Sequence, residues 1–133
     1  MVTNEIRNAL KQALTELHIA EYELNRPHED VVTMSVCYSA RQSLISMLRL
    51  FLMSNDVESV KSNNLKELLN QCIKINNQFS KIDVSDILCK ELNQEACDGK
   101  YCHTVDKVDE CVIVAKKFKT LILGILKINE SEM

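Results

Sequence analysis

Glycine and proline are almost absent from this chain, and their scarcity constrains the fold more than any other feature of the sequence. The 133 residues include two glycines and one proline, where average usage would give roughly 16. Sandwiches and barrels of many short strands need these residues at tight turns. Phosphate-binding loops need glycines where the backbone approaches the ligand. The sequence therefore predicts an all-α protein and excludes the glycine-rich nucleotide-binding motifs.

Apolar residues recur at helical spacing along most of the chain. The length allows one domain, which we expect to span residues 1–133. The pattern predicts four long helices and one short helix, over about 4–25, 29–54, 64–79, 84–92 and 104–128. Because the connections are short, consecutive helices are expected to pack as neighbours. The predicted fold is an up-and-down four-helix bundle with one additional short helix.

Local signals place the ends of these helices. Arg26-Pro27 ends the first helix, because proline lacks an N–H group and disfavours a helical conformation in the residue before it. Asn63 or Asn64 is the expected N-cap of the third helix, and Thr104 that of the last.

The second predicted helix is apolar on more than one face. Arg41 and Arg49 are its sole charges between Val31 and Asn55, and they make a membrane span there unfavourable. The first twenty residues lack the apolar core and the cleavage site of a secretory signal. We expect a cytoplasmic protein that does not enter a membrane.

Arg41 and Arg49 are candidate binding residues. They are eight positions apart, about two helical turns, and share one side of the helix. A half-buried arginine requires an anionic partner. The simpler explanation is a carboxylate on a neighbouring helix, or a side chain that extends its charged end to water. A ligand phosphate or a partner subunit is the alternative.

Six cysteines lie at positions 37, 72, 89, 97, 102 and 111. In a reducing compartment, free thiols are expected. Two alternatives remain for the loop around 89–103. Cys97 and Cys102 could form a disulfide, or they could bind zinc with Cys89 and His103, although no C-x-x-C spacing occurs. We favour reduced cysteines and predict neither a metal nor another cofactor.

A basic cluster, Lys116-Lys117-Phe118-Lys119, lies on the last predicted helix. It could contact phosphates, or it could be a solvated face around a buried Phe118. We favour the solvated face, because the whole chain carries a net charge of −3 and strong nucleic-acid binders are usually basic. The motifs of di-iron bundles, zinc proteases, EF-hands and serine hydrolases are absent.

Two stretches resemble the HEPN family of nucleotide-binding and ribonuclease-related helical domains. In the second helix the resemblance rests on Cys37, Tyr38, Ala40 and Gln42, and in the third on Leu65, Leu68 and Leu69. It covers about residues 4–128 in helix order and length. The resemblance implies a helical bundle that commonly forms homodimers and often acts beside a nucleotidyltransferase.

Active HEPN members are metal-independent ribonucleases with an Arg-x(4–6)-His motif near the start of the last long helix. Here no arginine follows Arg49, and the stretch upstream of His103, from Asn93 to Asp98, contains no basic residue. The resemblance therefore transfers no catalytic residue.

We predict a non-catalytic HEPN-like binding module that forms a homodimer through the apolar surface of the second or the last helix, and we favour Val31–Met53 of the second helix. Tyr38, Arg41 and Arg49 are the candidate binding residues. A Leu48→Glu substitution is expected to shift the dimer to a monomer. Nucleotide, nucleic acid or a partner protein such as a nucleotidyltransferase is a possible ligand. The alternative function is a degenerate ribonuclease of the toxin or defence type, using His103 with Lys100 or Lys107.

Overall fold

The computed structural model describes residues 3–56, 64–84 and 104–132. Within these ranges the chain forms four α-helices: α1 (Asn4–Leu24), α2 (Thr33–Ser54), α3 (Leu65–Ile75) and α4 (Val105–Leu126). Three short 3₁₀ turns complete the described structure, at His28–Asp30, Asn77–Lys81 and Glu130–Glu132. The part of the chain described here contains no strand, and the predicted all-α class is confirmed. The short helix predicted over 84–92 lies outside the described residues.

The second helix begins at Thr33, four residues later than predicted. A single 3₁₀ turn follows Pro27 and is closed by the Asp30 N–H, which donates to the Pro27 carbonyl at 2.7 Å. Val31 and Val32 are then extended, at φ −68° and −88°. β-Branched residues favour that conformation, so the helix starts only after them.

The third helix ends at Ile75 rather than near 79. Asn76 is extended, with φ −143° and ψ 110°, and its side-chain oxygen accepts from the Gln78 N–H at 2.9 Å. An asparagine side chain that bonds to the backbone in this way offers an alternative to the helical ladder. The chain continues as the 3₁₀ turn Asn77–Lys81, which directs Phe79 into the core.

The helix α2 is the centre of the domain and packs against α1, α3 and α4. Three aromatic rings join its last turns to the rest of the core. The Phe51 and Phe79 ring centroids are 4.7 Å apart, and those of Phe79 and Phe118 are 6.0 Å apart. All three side chains are fully buried, so the residues after α3 are tied to both α2 and α4.

Small side chains allow α1 and α2 to pack closely. Ala13 and Ala20 on α1 and Ser39 and Ser43 on α2 are all buried. The Ser43 hydroxyl donates to the Ala13 carbonyl at 2.6 Å, across the helix pair. This bond satisfies a polar group that would be costly to bury alone.

The chain reverses after α4. Lys127 has the left-handed backbone conformation, with φ 57° and ψ 42°, which is a common way to end a helix. Ile128 is then buried, and Glu130 lies 3.2 Å from the Lys119 Nζ atom and 3.8 Å from the His18 Nε2 atom. The carboxyl end of the described chain is thereby held against α1 and α4.

Candidate functional site

The three predicted binding residues lie along one side of α2. Tyr38 and Arg41 are three positions apart, and Arg49 follows Arg41 by about two further turns, which places them near one helix face. Tyr38 is exposed, and both arginines are half-buried. The helix therefore carries all three side chains on a side that solvent reaches.

A shallow groove between α1 and α2 contains one of the two arginines. Arg49 lines a cavity of about 170 Å³ that also includes Gln12 and Ser46. The same glutamine and serine line a neighbouring cavity of about 350 Å³, whose other lining residues include Lys11 and Glu16. This groove carries both signs of charge, and Ala9, Leu50 and Met53 add apolar surface at the Arg49 end. Arg41 lines neither cavity, so of the two arginines Arg49 alone contributes to these two cavities.

Exposed hydrophobic side chains concentrate where α1 and α2 are joined. Within the described residues, eight large hydrophobic side chains are exposed, and five of them come from residues 19–38. These five, which we call the hairpin-end patch, are between 47% and 76% exposed: Ile19, Tyr22, Val32, Met34 and Tyr38. Exposed apolar residues that are this close in the sequence make this end of the α1–α2 pair the candidate interaction surface.

A hydrogen bond holds the two sides of the hairpin-end patch together. The backbone N–H of Val32 donates to Glu23 Oε2 at 2.9 Å, which joins the last turn of α1 to the residue before α2. Arg26 donates to both oxygens of the same carboxylate, at 3.0 Å and 3.3 Å. The start of α2 is therefore fixed beside the turn that carries Tyr22.

The sequence analysis identified Tyr38 as a candidate binding residue, but it did not identify the exposed Ile19 and Tyr22 of α1 as part of the same surface. Ile19 and Tyr22 fall outside the stripe of buried residues that includes Leu10, Leu14 and Leu17. Two large apolar residues three positions apart on the polar face of an amphipathic helix are a signal that could have identified this side.

The expected effect of Leu48→Glu is corrected by the structure. Leu48 is fully buried within its own domain, beside Cys72, whose thiol donates to the Leu48 carbonyl at 3.7 Å. A charge at this position would disrupt the core rather than report on an interface between subunits. Met34 and Tyr38 are the exposed positions of the same helix that can report on one.

The three cysteines that the structure describes are free and buried: Cys37, Cys72 and Cys111. Burial raises the pKa of Cys72 to about 12, so its thiol is protonated and unreactive at neutral pH. The described ranges contain no group of three or more side chains suited to a metal ion. Most residues of the zinc and ribonuclease hypotheses lie outside the described residues: Cys89, Cys97, Lys100, Cys102 and His103. Lys107 of the ribonuclease hypothesis lies in the first turn of α4.

The basic cluster of α4 divides into paired and unpaired lysines. Lys116 lies 3.7 Å from Glu21 Oε2, and Lys119 lies 3.2 Å from Glu130 Oε1. Phe118 is fully buried, as predicted. Lys117 forms no ion pair with any residue that the structure describes.

No protein-family model, no curated protein and no solved structure significantly matches the chain. Among the helices described, none is both long enough and apolar enough to cross a membrane. Functional conclusions therefore depend on the surface features described above.

Proposed function

We propose that this protein is a non-catalytic, HEPN-like interaction module that forms a homodimer through the hairpin-end patch. One observation supports the proposal above the others. Five of the eight large hydrophobic side chains exposed in the described ranges lie within 20 residues, at one end of the α1–α2 pair.

The composition of this surface fits a protein interface. The centres of interfaces are enriched in tyrosine and methionine and depleted in charge. The patch contributes Tyr22, Tyr38 and Met34. The Glu23 carboxylate beside it is already bonded to Arg26 and to Val32, and the exposed Glu29 and Asp30 lie in the connecting turn. Pairing this surface therefore leaves the Glu23 carboxylate satisfied.

We propose that the partner bound at the hairpin-end patch is a second copy of the chain. In a two-fold dimer the same patch lies on both sides of the interface. The apolar side chains of one copy therefore pack against those of the other, and no different protein is needed. The resemblance to HEPN domains agrees with a homodimer. A nucleotidyltransferase beside the dimer, and a nucleotide or nucleic acid as ligand, are further parts of that resemblance.

The oligomeric state tests this proposal. We expect the purified full-length chain to have twice the monomer mass by native mass spectrometry and by light scattering after gel filtration. Met34→Glu and Tyr38→Glu should each yield a monomer, because a carboxylate would be buried without a partner in the dimer. Both side chains are about half exposed in the single chain, so the variants should still fold.

Ile113→Glu is the matched control. Ile113 is also exposed, but it lies on α4, outside the patch, and this variant should stay dimeric. Circular dichroism confirms that each variant is folded. A monomeric wild type at the highest soluble concentration, or patch variants that remain dimeric, would contradict the proposal.

A further inference from the structure

A second concave surface lies on the other side of the domain, between the 3₁₀ turn Asn77–Lys81 and α4. Its volume is about 440 Å³, within the range of small-molecule sites. The described residues that line it are Gln78, Lys81, Ile82, Lys117, Thr120 and Leu121. Ile82 and Leu121 are half-buried and pack against the core, whereas the four polar residues are exposed. The cavity thus has an aliphatic floor and a polar rim.

Among the described residues of the rim, the charged side chains are all positive. Two lysines line the cavity, and the described lining includes no carboxylate, although the chain as a whole has a net charge of −3. Lys116 and Lys119, on the same helix, have acidic partners in Glu21 and Glu130. Neither Lys81 nor Lys117 forms an ion pair with a residue in the described ranges.

Helical spacing brings the cationic and apolar groups together. Lys117, Thr120 and Leu121 are three and four positions apart and share one face of α4. Lys81 lies three residues after Gln78 in the 3₁₀ turn, where such residues align. Each wall therefore contributes one ammonium group. The Gln78 amide adds a neutral donor, whereas the Thr120 hydroxyl already donates to the Lys116 carbonyl at 3.1 Å.

We propose that this cavity binds a single-chain anionic amphiphile, with the anionic headgroup between Lys81 and Lys117 and the aliphatic chain along Ile82 and Leu121. The headgroup would accept charge-assisted hydrogen bonds from the two ammonium groups. The aliphatic chain would cover apolar surface that is otherwise exposed to water. A nucleic acid fits this site less well, because the described lining offers no aromatic side chain for base stacking and two cations for a phosphate backbone.

Decanoate, used below its critical micelle concentration, is the probe that tests this site. Titration into the full-length protein, with methyl groups observed by NMR, should shift the resonances of Ile82 and Leu121. The double variant Lys81→Gln/Lys117→Gln should weaken binding about tenfold, since two surface charges are removed from the headgroup. Decyltrimethylammonium, which has the same chain length and the opposite charge, should bind more weakly than decanoate.

Lys116→Gln is the matched control, because it removes the same charge from the adjacent position while its side chain faces Glu21. Its affinity for decanoate should equal that of the wild type. Thr120→Trp, at an exposed position of the rim, should fill the cavity and abolish binding while the chain stays folded. The proposal is overturned if decanoate does not bind, if it shifts methyl groups elsewhere, or if the double variant binds as tightly as Lys116→Gln.

Discussion

The Cys72 thiol shows how burial changes the chemistry of a single residue in this domain. Cys72 is fully buried between α3 and α2, and its thiol donates to the carbonyl of Leu48. Burial disfavours the thiolate, which raises the pKa of Cys72 to about 12 from an ordinary value of 9.0. The residue behaves as a small apolar side chain rather than as a nucleophile.

The raised pKa of Cys72 predicts a loss of stability at alkaline pH. The unfolded chain releases the thiol proton near pH 9 and the folded chain near 12. The buried, protonated thiol therefore makes its full contribution to the free energy of unfolding below about pH 9, and this contribution declines as the pH rises toward 12. Urea denaturation at several pH values should show a steeper decline in the free energy of unfolding for the wild type than for Cys72→Ala. Equal slopes for the two proteins would contradict this.

Ser43 illustrates what residue-level reasoning could not foresee. The helical spacing of apolar residues correctly places Leu10, Leu14 and Leu17 in the core, because that spacing depends on the sequence alone. A serine on a long apolar helix gives no sign that it will bond to Ala13 of another helix. That contact depends on how α1 and α2 are positioned against each other.

Helix ends are determined by short-range contacts. Asn64 precedes α3, and its side-chain oxygen accepts from the Glu67 N–H at 2.9 Å. Thr104 precedes α4 and accepts in the same way from the Lys107 N–H at 3.2 Å. The sequence predicted Thr104 as a cap and Asn64 as one of two candidates with Asn63, because an N-cap needs only the right residue beside the first turn.

Removing the cap of α3 should destabilise the protein. We expect Asn64→Ala to lower the free energy of unfolding by about 1 kcal/mol, measured by urea denaturation. Asn70→Ala is the matched control, since Asn70 is exposed within α3 and alanine favours a helix interior. Asn70→Ala should leave stability unchanged or slightly increased. An equal loss in both variants would show that the cap of Asn64 does not contribute.

The contact between three aromatic rings joins α2, α4 and the turn after α3 in one core. Phe79 lies between Phe51 of α2 and Phe118 of α4, although its own segment is a short 3₁₀ turn. Sequence analysis assigned Phe79 to the end of the third helix. The interruption at Asn76 was missed because asparagine is tolerated in helices and the local pattern remains compatible with one.

Truncation of Phe79 should therefore affect global stability. We expect Phe79→Ala to reduce the free energy of unfolding by about 3–5 kcal/mol, because it leaves a cavity among fully buried side chains. Ile75→Ala, at an exposed position nearby, should cost less than about 1 kcal/mol. Thermal and urea denaturation would measure both. A small loss for Phe79→Ala would mean that the rings do not stabilise the domain.

The sequence by itself determined the all-α class, the four long helices and the cap of α4, and it reduced the cap of α3 to two asparagines. These follow from the scarcity of glycine and proline, from apolar spacing and from side chains next to the helix ends. Tertiary structure decided the exposure of Ile19 and Tyr22, the burial of Leu48 and the distribution of the lysines on α4. The physical reason is that exposure and pairing depend on residues distant in the sequence, which only the packing of the helices brings together.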